Sequence, residues 1–226
     1  MNREFDPERL RAAGAIVVGL GSLGSPVALY LAAAGVGRIG VVDPAVVEPE
    51  DLDRQPLHFT PDLGVPKAQN AAVKLRALNP EVHVEPYPAR LDELNGEAIV
   101  MGADVVVDCV GSALVSDACC AAGVPFVTAS VSGLRGEVLS VRPGESACRR
   151  CAAMEEATGR APGALAGVVG SIQALEALKL LTGVGRPLLD TVLRIDAATM
   201  EQRRVPAARR DGCESCDRVP APAGAA

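Results

Sequence analysis

The run Ala15-Ile16-Val17-Val18 leads without a break into Gly19-Leu20-Gly21-Ser22-Leu23-Gly24, and a helical pattern follows. An apolar strand, a Gly-x-Gly-x-x-Gly turn and a helix are the entry of a nucleotide-binding α/β unit. Each glycine has a mechanical reason to be there. Gly19 makes the tight turn, Gly21 lets a phosphate approach the backbone, and Gly24 lets helix and strand pack closely. The N–H groups that open the helix, around Ser22 and Leu23, point at an anion. The next apolar run, Ile39-Gly40-Val41-Val42, ends on Asp43. That acid lies about twenty residues past the loop, where a nucleotide ribose is held.

The same alternation continues along the chain. Strands are expected at 15–20, 38–43, 82–86, 105–108 and 124–128, with helices at 22–34, 66–78, 91–101 and 112–122 between them. A polar loop fills 44–63. This is an α/β pattern, Rossmann-like and doubly wound, with a mostly parallel sheet. After 129 the pattern changes. Two strands are expected at 129–133 and 136–142, a long helix at 168–182, and a hairpin of 189–195 and 199–204, which makes the C-terminal strands antiparallel. Residues 1–217 read as one domain, and the Pro/Ala/Gly-rich stretch 218–226 as a disordered tail.

Composition narrows the partners. Nearly half of the 226 residues are apolar, yet there is no Trp, and only two Tyr and three Phe. The core is therefore Ala, Val and Leu, and there are no stacking platforms for single-stranded nucleic acid. A net charge of −6 also argues against nucleic acid. No apolar run is expected to reach membrane-spanning length, and the N-terminus has no apolar signal core. The expected location is cytoplasmic.

In a reducing compartment, seven cysteines point to metal or burial. Cys148-Arg149-Arg150-Cys151 and Cys213-Glu214-Ser215-Cys216 are two C-x-x-C pairs. Each turn sets two thiolates on one side of a metal, and two turns complete a structural zinc tetrahedron with no open position. Cys109, Cys119 and Cys120 read as buried, inert thiols. His58 and His83 have no ligand spacing. In the polar loop, Asp51-Leu52-Asp53-Arg54-Gln55 and Gly64-Val65-Pro66-Lys67 bring an Arg and a Lys toward the glycine turn, a cation pair suited to a polyphosphate. On spacing alone, a solvated charged loop is the stronger reading.

Together these motifs resemble the ThiF/MoeB/HesA family, bacterial relatives of the ubiquitin-activating enzymes, over residues 12–217. The carriers are the glycine turn, Ala34-Gly35-Val36-Gly37, Val42-Asp43, Leu52-Asp53-Arg54-Gln55, Gly64-Val65-Pro66-Lys67-Ala68, Asp108-Cys109, the run from Gly170 to Lys179, and both C-x-x-C pairs. The resemblance implies an adenylyltransferase that uses Mg-ATP to activate the C-terminal Gly-Gly carboxylate of a ubiquitin-like sulfur-carrier protein, working as a homodimer. It gives Asp43 the ribose. Arg54 and Lys67 take the phosphates as catalytic cations, with Gln55 beside them, and Asp51 stands where the family has Asn.

The sequence departs from the family at definite places. Relatives continue the fourth strand as Asp-Cys-Thr-Asp-Asn, with the second Asp on magnesium. Here the run is Asp108-Cys109-Val110-Gly111-Ser112, so that carboxylate is missing, and Asp104, Asp108 and Asp117 are its possible substitutes. Relatives also carry an N-terminal arginine arm, for which Arg3, Arg9 and Arg11 are the candidates here. The crossover 152–170 has no cysteine for a carrier thioester. These departures motivate a second reading, a noncatalytic member that binds a carrier or pairs with an active subunit. A third reading, an NAD-dependent reductase, rests on the glycine turn alone and leaves the cysteines, Arg54 and Lys67 unexplained.

Overall fold

The computed structural model describes residues 5–155 and 159–219. A helix not expected from the sequence opens it. In α1 (Pro7–Ala12) the Asp6 carboxylate caps the Glu8 N–H. There follow β1 (Gly14–Val18), α2 (Gly24–Ala33), β2 (Arg38–Val42), α3 (Lys67–Leu78), β3 (His83–Tyr87), α4 (Gly96–Val100), β4 (Val105–Asp108) and α5 (Ala113–Ala122). The second half consists of β5 (Phe126–Ser132), β6 (Arg135–Val141), α6 (Gly163–Thr182), β7 (Thr191–Asp196) and β8 (Glu201–Pro206).

The eight strands form one sheet in the order β3-β2-β1-β4-β5-β6-β7-β8. β3 through β5 are parallel, and β5 through β8 pair antiparallel. This is the expected doubly wound architecture. Period-two alternation divides the core between the two faces. Ala15, Val17, Val105 and Val107 pack under α1, α2, α3 and α6. Val18, Val106, Phe126 and Leu139 pack under α4, α5 and the cysteine segments.

The differences from the sequence reading have local causes. The strands expected at 124–128 and 129–133 are one continuous β5, and the turn to β6 falls at Gly133, with φ +54°. α6 starts at Gly163 rather than 168, because packing holds a glycine-containing first turn that propensity alone would not. It is also long and apolar enough to cross a membrane, which corrects the expectation that no run reaches that length. Here it packs on β4, β5, β6 and α2, and its buried residues include Gln173 and Glu176. The 44–63 loop contains two 3-10 turns, Pro49–Asp51 and Thr60–Asp62, and is pinned by the Val46–Pro66 bridge. A third such turn, Cys216–Arg218, holds the first residue of the expected tail. Residues 220–226 of that tail lie outside the described residues.

Candidate nucleotide site and thiolate cluster

β1 and β4 are neighbours, and the chain leaves them toward opposite edges of the sheet. Doubly wound sheets open a crevice at this switch point, beyond the carboxyl ends of the strands. The glycine turn and Val110-Gly111 line it. Gly19 has φ +90°, and a Cβ there would lie 2.5 Å from Val110 Cγ1. A Cβ on Gly24 would overlap the Gly19 carbonyl oxygen at 1.8 Å. A Cβ on Gly21 would have only Gln55 Nε2 near it, at 3.9 Å, so that face of the turn is open. The turn is held from behind: Leu20 N–H donates to Asp43 Oδ2 at 2.7 Å, and Ala45 N–H to Oδ1 at 2.8 Å. Each carboxylate oxygen keeps a second lone pair for an incoming hydroxyl. α2 has no side-chain cap and no acid in its first turn. Ser25 and Val27 donate back to the Gly21 and Leu23 carbonyls, and Pro26 has no N–H, so the N–H groups left for an anion are those of the turn itself, around Gly21, Ser22, Leu23 and Gly24.

The polar loop is solvated only in part: Glu48, Glu50 and Asp53 are exposed, but the residues on which the two readings differ are not. Asp51, Gln55 and Lys67 are all buried. Asp51 sits at their centre. Its Oδ2 pairs with Lys67 Nζ at 2.9 Å and accepts the Glu48 N–H at 3.0 Å. Its Oδ1 accepts from Gln55 Nε2 at 2.6 Å and lies 3.7 Å from Arg54 Nη2. Burial alone would push this carboxyl up, but the Lys67 contact, the Glu48 N–H and the Arg54 charge hold it below its ordinary value. The Arg54 guanidinium also contacts the Glu50 carbonyl and Asp53. Gln55 Oε1 is buried with no partner among the described residues, an orphaned acceptor.

Sequence reasoning missed the layer beneath. His58, dismissed as a ligand, is 2% exposed and supports the turn. Asn70 Nδ2 donates to its Nδ1 at 2.8 Å, and its Nε2 lies 3.3 Å from the Leu20 carbonyl. This assigns the proton to Nε2 in a neutral ring. Burial holds its pKa down, helped by the Lys67 and Lys74 charges. No spacing rule links residues 58 and 70, so only the fold shows the pair. His83 opens β3 on the surface.

At the end of β4, Asp108 is fully buried. Its oxygens accept N–H bonds from Val110, Gly111 and Ser112, and the Thr128 hydroxyl at 2.8 Å. Burial pushes this carboxyl up despite those donors. Asp108 is thus a clamp for its own loop rather than a replacement metal ligand. Asp104 accepts from Gly14 N–H at 2.7 Å, at the opposite end of the parallel strands. Asp117 pairs with Arg150 at 2.9 Å and takes the Ser215 hydroxyl. The residues present therefore do not reproduce a magnesium carboxylate at this position. Of the candidate arm arginines, Arg9 donates to the Thr182 carbonyl and Arg11 stays exposed, 3.9 Å from Glu81; Arg3 lies outside the described residues.

The four paired cysteines do meet. Cys148, Cys151, Cys213 and Cys216 are buried, and their sulfurs lie within 4.8 Å of one another. The sulfurs of Cys148 and Cys213 are 3.5 Å apart, and those of Cys151 and Cys216 are 3.7 Å apart. A tetrahedron with metal–sulfur bonds of about 2.3 Å has edges of about 3.8 Å, so the set fits one tetrahedral ion. Arg210 N–H donates to Cys151 Sγ at 3.3 Å. Cys109 is buried at the end of β4, and Cys119 and Cys120 share the core that holds the cluster; burial raises all three thiols, Cys120 to about 12 with Cys148 close by.

Fold and site define a class: a doubly wound α/β domain with a glycine turn at its switch point and a four-cysteine cluster on one face. The model of the ThiF family matches residues 3–215, and the chain belongs to that family. It is 40% identical over 229 residues to the SAMP-activating enzyme E1 of Haloferax volcanii, covering 94% of this chain and 84% of that protein. It is 35% identical over 229 residues to the molybdopterin-synthase adenylyltransferase of Escherichia coli, covering 94% and 91%. Among solved structures, the E. coli MccB complex with ATP superposes with a TM-score of 0.83 at 21% identity, over 93% of this chain and 68% of that one. That last likeness speaks to the fold alone.

Proposed function

We propose that this chain is an ATP-dependent adenylyltransferase that activates the C-terminal carboxylate of a ubiquitin-like sulfur-carrier protein ending in Gly-Gly. One observation carries the reading: the buried Lys67 and Gln55 and the half-buried Arg54 gather on Asp51 beside the open face of the Gly19–Gly24 turn. The names of the relatives support it.

In this reading Asp43 accepts the ribose hydroxyls. The N–H groups around Gly21, Ser22 and Leu23, with Lys67 and Arg54, take the phosphates. The carrier carboxylate is already a nucleophile, so the chain needs no general base. A carboxylate oxygen attacks the α-phosphorus, a P–O bond to the acyl group forms, and the bond to pyrophosphate breaks. Alignment and neutralisation of the charge on the departing pyrophosphate lower the barrier. The four cysteines hold structural zinc. Residues 1–217 act as one domain in the cytoplasm. An exposed apolar groove between α2 and α6, with Tyr30, Val168 and Leu175 on its walls, suits a homodimer, testable by sedimentation.

The experiment is ATP–pyrophosphate exchange that depends on a carrier ending in Gly-Gly. Exchange with such a carrier, lost in Lys67→Ala, supports the reading. ATP binding without exchange for any such carrier favours the noncatalytic reading, which the missing carboxylate at Gly111 motivates.

A further inference from the structure

The end of β4 faces a buried charge that the reading above does not use. Arg149 belongs to the first C-x-x-C turn, yet its guanidinium reaches Thr128 within β5 and the Gly111 loop after β4. It is only 6% exposed. Nη1 lies 3.5 Å from Thr128 Oγ1 and 3.6 Å from Met154 Sδ, and Nη2 lies 3.2 Å from the Glu155 carbonyl. All three acceptors are neutral, and the contacts are long. Among the described residues, no carboxylate lies within ion-pair distance of Arg149. Its neighbour Arg150 has Asp117 at 2.9 Å. Asp108 is separated from Arg149 by the Thr128 hydroxyl, and its own oxygens are taken by loop N–H groups.

Arg149 thus has no anion in direct contact; its charge reaches the Asp108 carboxyl only across the Thr128 hydroxyl, and a buried cation left without a direct partner is costly until an anion arrives. The position fits such an arrival. Nη2 is 3.6 Å from where a Cβ on Gly111 would sit, and the adjoining Val110 touches the Gly19 turn. Arg149 thus borders the glycine-turn crevice from the β5 side, at the point where no acid stands to hold a metal. A carboxylate at 111 would fall against the guanidinium and cancel its charge.

We propose that Arg149 is a phosphate ligand, supplying at the triphosphate the positive charge that a carboxylate-held divalent cation would otherwise bring, so that this chain binds ATP without magnesium. The inference rests on the reading of the glycine turn as a nucleotide site. A guanidinium fork matches phosphate oxygens in geometry and charge, and needs no acid to anchor it.

The test is calorimetric titration of the full, zinc-loaded chain with ATP, with and without magnesium. Divalent ions are removed on a chelating resin, because a soluble chelator would strip the thiolates. The expected result is two affinities within about fivefold of each other, with Arg149→Met roughly 10- to 100-fold weaker in metal-free buffer and Arg149→Lys between the two. Zinc content and melting should match in all three proteins, which separates a phosphate ligand from a counter-charge for the thiolates. If Arg149→Met loses zinc or stability, the magnesium comparison in the unsubstituted chain decides. Binding that needs magnesium by more than about fivefold, or Arg149→Met binding as tightly as its parent, overturns the proposal and leaves the nucleotide site standing. No ATP binding under either condition overturns both.

Discussion

The Asp51 cluster gathers residues of one stretch, 48–67, whereas the cysteine cluster joins segments 65 residues apart; both are largely buried, and they close differently. The four sulfurs face one another, and an added ion would complete them. The polar cluster has capacity left over: Gln55 Oε1 has no partner among the described residues, and Arg54 is partly exposed. A set of groups satisfied from within can only hold the fold, whereas a set with an acceptor and charge to spare can act on something that enters.

Substitutions should break the two clusters in different ways. The largest effect is expected for Cys148→Ser. Structural zinc contributes apparent energies of about 10–16 kcal/mol in small domains, comparable with the whole stability of a domain. Zinc content should fall and the cooperative melt should be lost; an unchanged melt by circular dichroism would show that the cluster does not hold the fold. Lys67→Met comes next. It strands Asp51 as a buried charge, at about 3–5 kcal/mol, and should slow exchange by about 100-fold or more.

Asp51→Asn sharpens the contrast, because its two readouts should move in opposite directions. Denaturant unfolding should show a loss of about 1.5–3 kcal/mol, the size of a hydrogen bond to a charged group. ATP should bind several-fold tighter, since the phosphates no longer compete with a carboxylate for Lys67. Weaker ATP binding would make Asp51 an organiser of the site rather than a competitor.

The smallest effect is expected at His58. Its folded pKa lies below the ordinary 6.5, so the unfolded chain takes up the proton first as pH falls. Stability from the neutral ring is therefore complete above 6.5 and declines below it. His58→Gln should flatten the part of the melting curve against acidity that lies below 6.5, and an unchanged slope would assign that part to other groups.

What could be read in advance follows the range of the interactions. The glycine turn, the Asp43 position and the C-x-x-C pairs are local patterns, and the parallel strands show as apolar runs between helices. The burial of Asp51 and Lys67 could not be read. Their spacing matches a surface loop, and the strand-like pairing of 45–47 with 64–67 and the packing of Leu57 fold that loop inward. The His58–Asn70 pair and the reach of Arg149 toward Gly111 were hidden for the same reason, because each depends on which strands become neighbours. The early start of α6 was missed because Gly163 and Gly167 are poor helix formers.

That early start bears on the order of assembly. A Cβ on Gly163 would come within 2.9 Å of the Arg54 Cα and of the Asp53 carbonyl oxygen, so the first turn of α6 lies directly against the cation loop. The loop is synthesised long before the helix that backs it. On a ribosome, a nascent chain stopped before Gly163 would carry the glycine turn, Asp43, Arg54 and Lys67 without the wall that sets their spacing. Competence for the triphosphate would thus be acquired late and abruptly as α6 docks, as expected for sites built on contacts distant in sequence.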